Sequence, residues 1–153
     1  MEHVASLFFA DLAKIKIIRV LILKSKRRYN TFGSGAIHGA HAIFKMQAKL
    51  FNKGKDIGLL RAADTRMAGY FMAMHRDLRM RRALESTVSS AAFAALSLKP
   101  FAKKAGEEVG DKVMWKQMYV VLRVLFPALR LLRLADSNRA GMDKVYYLSL
   151  IHI

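Results

Sequence analysis

The chain contains no cysteine, which excludes disulfides, thiolate metal sites and thiol nucleophiles. Acidic residues are scarce too: 11 Asp and Glu stand against 27 Lys and Arg, for a net charge of +16. The imbalance recurs along the chain, so a compact state repels itself and calls for an anionic partner or counterions. Long uncharged apolar runs are also missing. The most apolar window, 119–135, still holds Arg123, Arg130 and Arg133, which disfavours a transmembrane span. Near the N-terminus Glu2 and Asp11 interrupt the apolar stretch, so the order of a signal peptide is absent and secretion is disfavoured.

What is present suits a folded domain. The apolar fraction is 54% and the charged fraction 25%, which is not the signature of a disordered chain. A chain of 153 residues has the length of one domain and can bury roughly 70% of its unfolded surface. Its apolar residues recur at the three-or-four spacing of helix faces, and the expected class is mainly α. Val4, Phe8, Leu12, Ile15, Ile18 and Ile22 predict one long helix, closed by the basic run Lys24–Arg28 and the breakers Asn30, Gly33, Ser34 and Gly35. Residues 36–51 predict a second helix, ended by Asn52-Lys53-Gly54, and 57–61 a short extended piece. Asp64 is read as the N-cap of a helix from Thr65 through Phe71, Met74 and Leu78. Leu84 to Leu96 predicts another, closed by Lys99-Pro100, and 102–110 is expected to be a charged loop. Asp111 opens the strongest pattern, from Val113 through Leu132, with a kink expected at Pro127. A turn at 136–141 and a last helix from near Met142 complete the reading.

Convergent groups for chemistry are not found. His38 and His41 share a helix face, but a metal site needs a third and fourth ligand, and none stands at suitable spacing. Glu107, Glu108 and Asp111 cluster before a helix whose N-terminus favours negative charge, so a solvated cap is expected in preference to an acid–base pair. No nucleophile elbow, phosphate-binding loop or dinucleotide turn occurs. No small-molecule substrate is implied, and no enzyme. Met67, Met72, Met74 and Met80 read as core packing, or else as an adaptable binding surface. The cations offer the one binding pattern. Lys116, Arg123 and Arg130 recur every seven residues with Arg133 one turn later, a cationic stripe on an apolar helix. With the cluster Arg76, Arg79, Arg81, Arg82 and the run Lys24–Arg28, they could follow a phosphate backbone; solvated helix faces and dipole compensation account for the same residues.

The order of these features resembles a stretch of hAT-superfamily DNA transposases. His3-Val4-Ala5-Ser6-Leu7 and the segment to Ile15 look like the residues around the family's Cys-x-x-His motif, with His3 as its histidine. Leu59 to Arg66 looks like the stretch ending in Thr-Arg, here Thr65-Arg66, and Leu84 to Phe93 like the Leu-x-x-x-Val-x-Ser piece. Trp115, Pro127, Leu132 to Asp136 and Met142 to Tyr146 resemble the helix and turn at the far side of that region. The resemblance implies an RNase H-like catalytic domain with a helical insertion, three acids holding divalent metal, and nuclear cut-and-paste chemistry on DNA. Those acids fall outside this chain, so catalytic residues, metal and cofactor are expected to be absent from it. Met67 stands where many members carry an aromatic residue, and methionine can wedge but has no π-face to stack on a base.

On this reading 1–30 is a helix of the catalytic domain without most of its sheet, 31–147 is the helical insertion region, and 148–153 is a non-native tail. The chain is then a non-catalytic transposase fragment, nuclear by resemblance. Residual non-specific DNA binding is expected at Arg66, Arg76, Arg79, Lys116, Arg123, Arg130 and Arg133, and helices short of partners are expected to self-associate. The alternative is a basic amphipathic protein lying on an anionic membrane surface.

Overall fold

The computed structural model describes residues 11–62, 68–96 and 99–135, with backbone alone at 68 and 131–135. These residues are mainly helical and include no strand, as the periodicity predicts. A helical turn at 11–14 precedes α1 (Lys16–Arg28), and between them Ile15 takes an extended ψ of 125°. The single long helix expected from Val4 to Ile22 is therefore broken at Ile15. Its beginning lies outside the described residues.

Helix α1 buries Ile18, Leu21, Ile22, Ser25 and Arg28, an unbroken row at helical spacing whose last two members are polar. It ends in a π-helical turn, Tyr29–Gly33, and the extra residue in that wider turn brings both Thr31 and Phe32 into the core. Phe32 packs there on Phe44 and Phe93, at ring distances of 6.3 and 5.8 Å. Helix α2 (His38–Phe51) closes as the sequence predicts. The Gly54 N–H donates to the Lys49 carbonyl at 2.8 Å, with Lys53 and Gly54 at φ 54° and 79°, the 6→1 bond of a Schellman cap. Residues 55–60 have no regular structure.

Helix α3 (Ala68–Arg79) carries part of the predicted fourth segment, whose cap Asp64 lies outside the described residues. The helix expected over Leu84–Leu96 is two helices, α4 (Arg81–Val88) and α5 (Ala91–Ala94), divided at Ser89-Ser90. The Ser90 side chain accepts the Phe93 N–H, so the serine pair restarts the chain instead of prolonging the first helix. Two further expectations are corrected here. Pro100 does not close a helix but opens α6 (Pro100–Val109) from its first turn, where the missing N–H costs nothing. The loop expected at 102–110 is that same helix. Its buried row is Ala102, Ala105, Gly106 and Val109, small enough for Phe93 to lie against it; a β-carbon at Gly106 would meet the Phe93 ring at 3.2 Å.

Helix α7 (Lys112–Ala135) runs through Pro127 without a break, so the proline costs a backbone bond but does not end the helix. Asp111 caps it as predicted: Oδ1 accepts the Val113 and Met114 N–H groups, each at 3.0 Å. The Met114 N–H above all, with the Lys24 ammonium and the Val113 N–H, holds the Asp111 carboxyl below its ordinary value, against the opposing push of burial. A lowered carboxylate stabilises the fold above the unfolded value and stops doing so as pH falls through the folded one. Asp111→Ala is therefore expected to cost about 1 kcal/mol. Asp111→Asn, which keeps a capping oxygen, should cost less at neutral pH and nothing relative to wild type once the carboxylate is protonated. Urea titrations of the three proteins between neutral pH and acid check both statements.

One core joins all of this. Ile18, Leu21 and Ile22 of α1 share it with Phe44, Phe71, Met74, Leu84, Met114, Trp115 and Met118, and α1 touches α3, α6 and α7. Residues before and after position 30 thus bury their apolar rows together. Met74 and Met80 are core residues, as read from the sequence.

Candidate functional site

The basic end of α1 is spent inside the molecule. Lys24 pairs with Asp111 at 3.3 Å, Arg27 pairs with the nearly buried Glu108, and Arg28 pairs with Asp77 at 2.8 Å. Lys26 lies over the Tyr70 ring, 4.8 Å from its centre. The reading of Lys24–Arg28 as a phosphate-following run is therefore corrected: its charges tie α1 to α3, α6 and α7. Glu108, expected as part of a solvated cap, is one of those ties.

The Arg28–Asp77 pair is fully enclosed, at 0% and 1% side-chain exposure. Arg28 donates from Nε and Nη2 to Asp77 Oδ2 at 3.0 and 2.8 Å, and from Nη1 to the Met114 sulfur at 2.9 Å. Burial pushes the Asp77 carboxyl up from its ordinary value, against the pull of Arg28 and of the Ser25 hydroxyl. The pair was not foreseen, although a signal exists. Arg28 and Asp77 both continue helix-face rows that begin with apolar residues, Leu21-Ile22 in α1 and Phe71-Met74 in α3, where an unpaired charge could not be buried.

Across the described residues the acids are consumed in the same way. Six of seven, all but Glu107, sit within ion-pair distance of a Lys or Arg. The expected DNA-binding residues divide accordingly. Arg76 donates to the Gly58 carbonyl at 3.2 Å and so holds the irregular segment against α3. Arg79, Lys116, Arg123 and Arg130 are exposed, with no acidic partner among the described residues. Lys116, Arg123 and Arg130 follow one face of α7, as their spacing predicts. Arg66, the Arg133 side chain, His3, Thr65 and Asp136 lie outside the described residues. Trp115 belongs to the core, and Pro127 lines a groove between α3 and α7.

That groove has a volume of about 530 Å³ and continues into a smaller space of about 210 Å³ past His75, Leu122 and Phe126. Arg79 and Arg123 border the larger part and Arg130 the smaller. The neighbouring face of α7 is unusual for a helix exterior, with Val120 51% and Val124 72% exposed between the cations. Among the described residues no group of His, Cys, Asp and Glu is arranged to hold a metal ion. His41, one of the histidine pair considered above, contacts the Phe32 carbonyl through Nδ1 at 2.7 Å; a carbonyl only accepts, so Nδ1 is the protonated nitrogen. Among the described residues no helix is long and apolar enough to cross a membrane. The chain matches no known family model, no characterised protein and no solved structure.

Proposed function

We propose that the chain is a non-catalytic helical module, of hAT-transposase parentage by the resemblance above, that holds the backbone of duplex DNA without reading its sequence. The observation that carries this is the separation of charge. Nearly every acid described is engaged within the chain, while Arg79, Lys116, Arg123 and Arg130 stand exposed along α3 and α7. Cations without acidic neighbours attract phosphate at long range, and each phosphate contact releases a counterion. In a filter-binding titration across a salt series, log affinity should fall linearly with log salt. Changing Lys116, Arg123 and Arg130 together to glutamine should reduce that slope by about 3 and weaken all duplex sequences alike. An affinity indifferent to salt, or a slope unaltered in the triple variant, counts against the proposal.

One observation favours a second reading, a basic helical protein on an anionic membrane surface. Lys16, Ile17, Arg19, Val20 and Leu23 of α1 are all exposed, a mixed cationic and apolar face of the kind that lies in a lipid interface. Sedimentation with phosphatidylserine vesicles at the same salt as the DNA titration separates the two, because DNA retention has no use for those apolar side chains.

A further inference from the structure

The groove between α3 and α7 is more apolar than a phosphate-binding surface requires. Its floor includes Leu78, Leu122 and Phe126, and Leu129 continues it; Phe126 is half exposed there. A duplex backbone has nothing to set into that floor. We infer that the groove seats an acidic amphipathic helix supplied by a partner protein. Its apolar ridge would fill the channel, and its Asp and Glu side chains would meet Arg79, Arg123 and Arg130.

Shape and charge both select this occupant. From Tyr119 to Arg130 the α7 wall is about 16 Å long at 1.5 Å per residue, which is three helical turns. Two helices in contact present a groove into which the ridge of a third packs. Arg123 and Arg130 are two turns apart on one wall, a spacing that acids seven residues apart on the incoming helix would match. Among the described residues no acid lines the groove in either part, so a helix carrying carboxylates on its flanks meets attraction at each edge. A single-headed anionic lipid would satisfy one arginine and leave the others. A second copy would bring its own surplus toward a surface that shares the net charge of +16.

The test uses the full chain and a fluorescein-labelled synthetic helix of about 14 residues, leucine on one ridge and glutamate on both flanks, with a lysine-flanked counterpart. Fluorescence anisotropy should show saturable binding of the glutamate peptide alone. Arg123→Glu with Arg130→Glu should weaken it at least about tenfold, and raised salt should weaken it too. Phe126→Ser should also cost about tenfold by spoiling the floor, while duplex DNA retention by that variant stays at the wild-type level. The Phe126 result separates this inference from the DNA-binding reading, which does not involve the floor. Equal binding of both peptides, no binding of either, or indifference to Phe126→Ser overturns it. Light scattering that shows a dimer the glutamate peptide cannot dissociate gives the groove to a second copy and overturns it as well.

Discussion

Arg28→Met should destabilise the fold by about 3–5 kcal/mol, the cost of leaving one member of a buried ion pair without the other. The substitution keeps most of the aliphatic volume, so the loss is electrostatic and not a cavity effect. Asp77, at 1% exposure, would keep its burial and its Ser25 hydrogen bond but lose Arg28, the larger of the lowering influences. Its carboxyl would then rise further above the ordinary value. A folded-state value raised above the unfolded one means that the native state holds its proton longer. The penalty is absent below the unfolded value and grows as pH rises toward the folded one. The deficit of Arg28→Met should accordingly shrink in mild acid and grow as pH rises toward neutrality. In a domain of this length it corresponds to a fall in Tm of roughly 6–20 °C. Replacing both partners, Arg28→Met with Asp77→Leu, removes the orphan and should recover most of the loss, because a well-packed apolar pair is often as good as a buried ionic one. A single variant as stable as wild type, or a double variant no better than the single, would show that the pair does not hold α1 to α3.

How far the sequence foretold the fold depends on which force shapes each element. Where apolar spacing dominates, as in α2 and α7, the elements stand where the pattern puts them, with the closing turn at Asn52-Lys53-Gly54 and the cap at Asp111. Where small residues make the contact, the pattern fails. The row Ala102, Ala105, Gly106 and Val109 has little hydrophobicity to register, and its helix shows only once Phe93 is known to lie against it. The serine pair at 89–90 and Pro100 were ambiguous for a related reason, since serine and proline serve both to start helices and to stop them. Charge was the least legible property. Lys24, Arg27 and Arg28 stand in one basic run with Lys26, yet their ties to Asp111, Glu108 and Asp77 reach across 87, 81 and 49 positions, distances that local spacing does not encode. The stripe Lys116, Arg123, Arg130 was readable because all three belong to one helix. Which basic residues are structural and which face outward is settled by where the seven described acids lie, and that is a tertiary fact.

Trp115→Ala should cost about as much as Arg28→Met, roughly 3–5 kcal/mol, although for a different reason. The indole is 1% exposed and is the largest of the fully buried side chains. Its removal opens a cavity at the junction of four helices. Nε1–H donates to the Val109 carbonyl at 2.7 Å, which closes the end of α6 onto α7, and the Arg28 and Arg81 guanidiniums lie 5.1 and 5.5 Å from the ring. Those cations bring in the end of α1 and the start of α4. Trp115→Phe keeps a ring face for both cations and much of the volume, but it leaves the Val109 carbonyl without its indole donor. That variant should lose about 1–3 kcal/mol, less than alanine. The most informative measurement is a double-mutant cycle between positions 28 and 115. If Arg28 is held in place partly by the indole face, Arg28→Met and Trp115→Ala will not add, and the combined loss will fall short of the sum by about 0.5–3 kcal/mol. Strict additivity would instead mean that the ring merely fills space, and that the Asp77 contact alone fixes the guanidinium. Because Lys116 follows Trp115 directly on α7, the same anchor sets the rotation of that helix, and with it the direction in which Lys116, Arg123 and Arg130 are presented. The alanine variant, where it still folds, is therefore expected to lower duplex DNA retention with all three exposed cations intact, a result that a passive core residue would not produce.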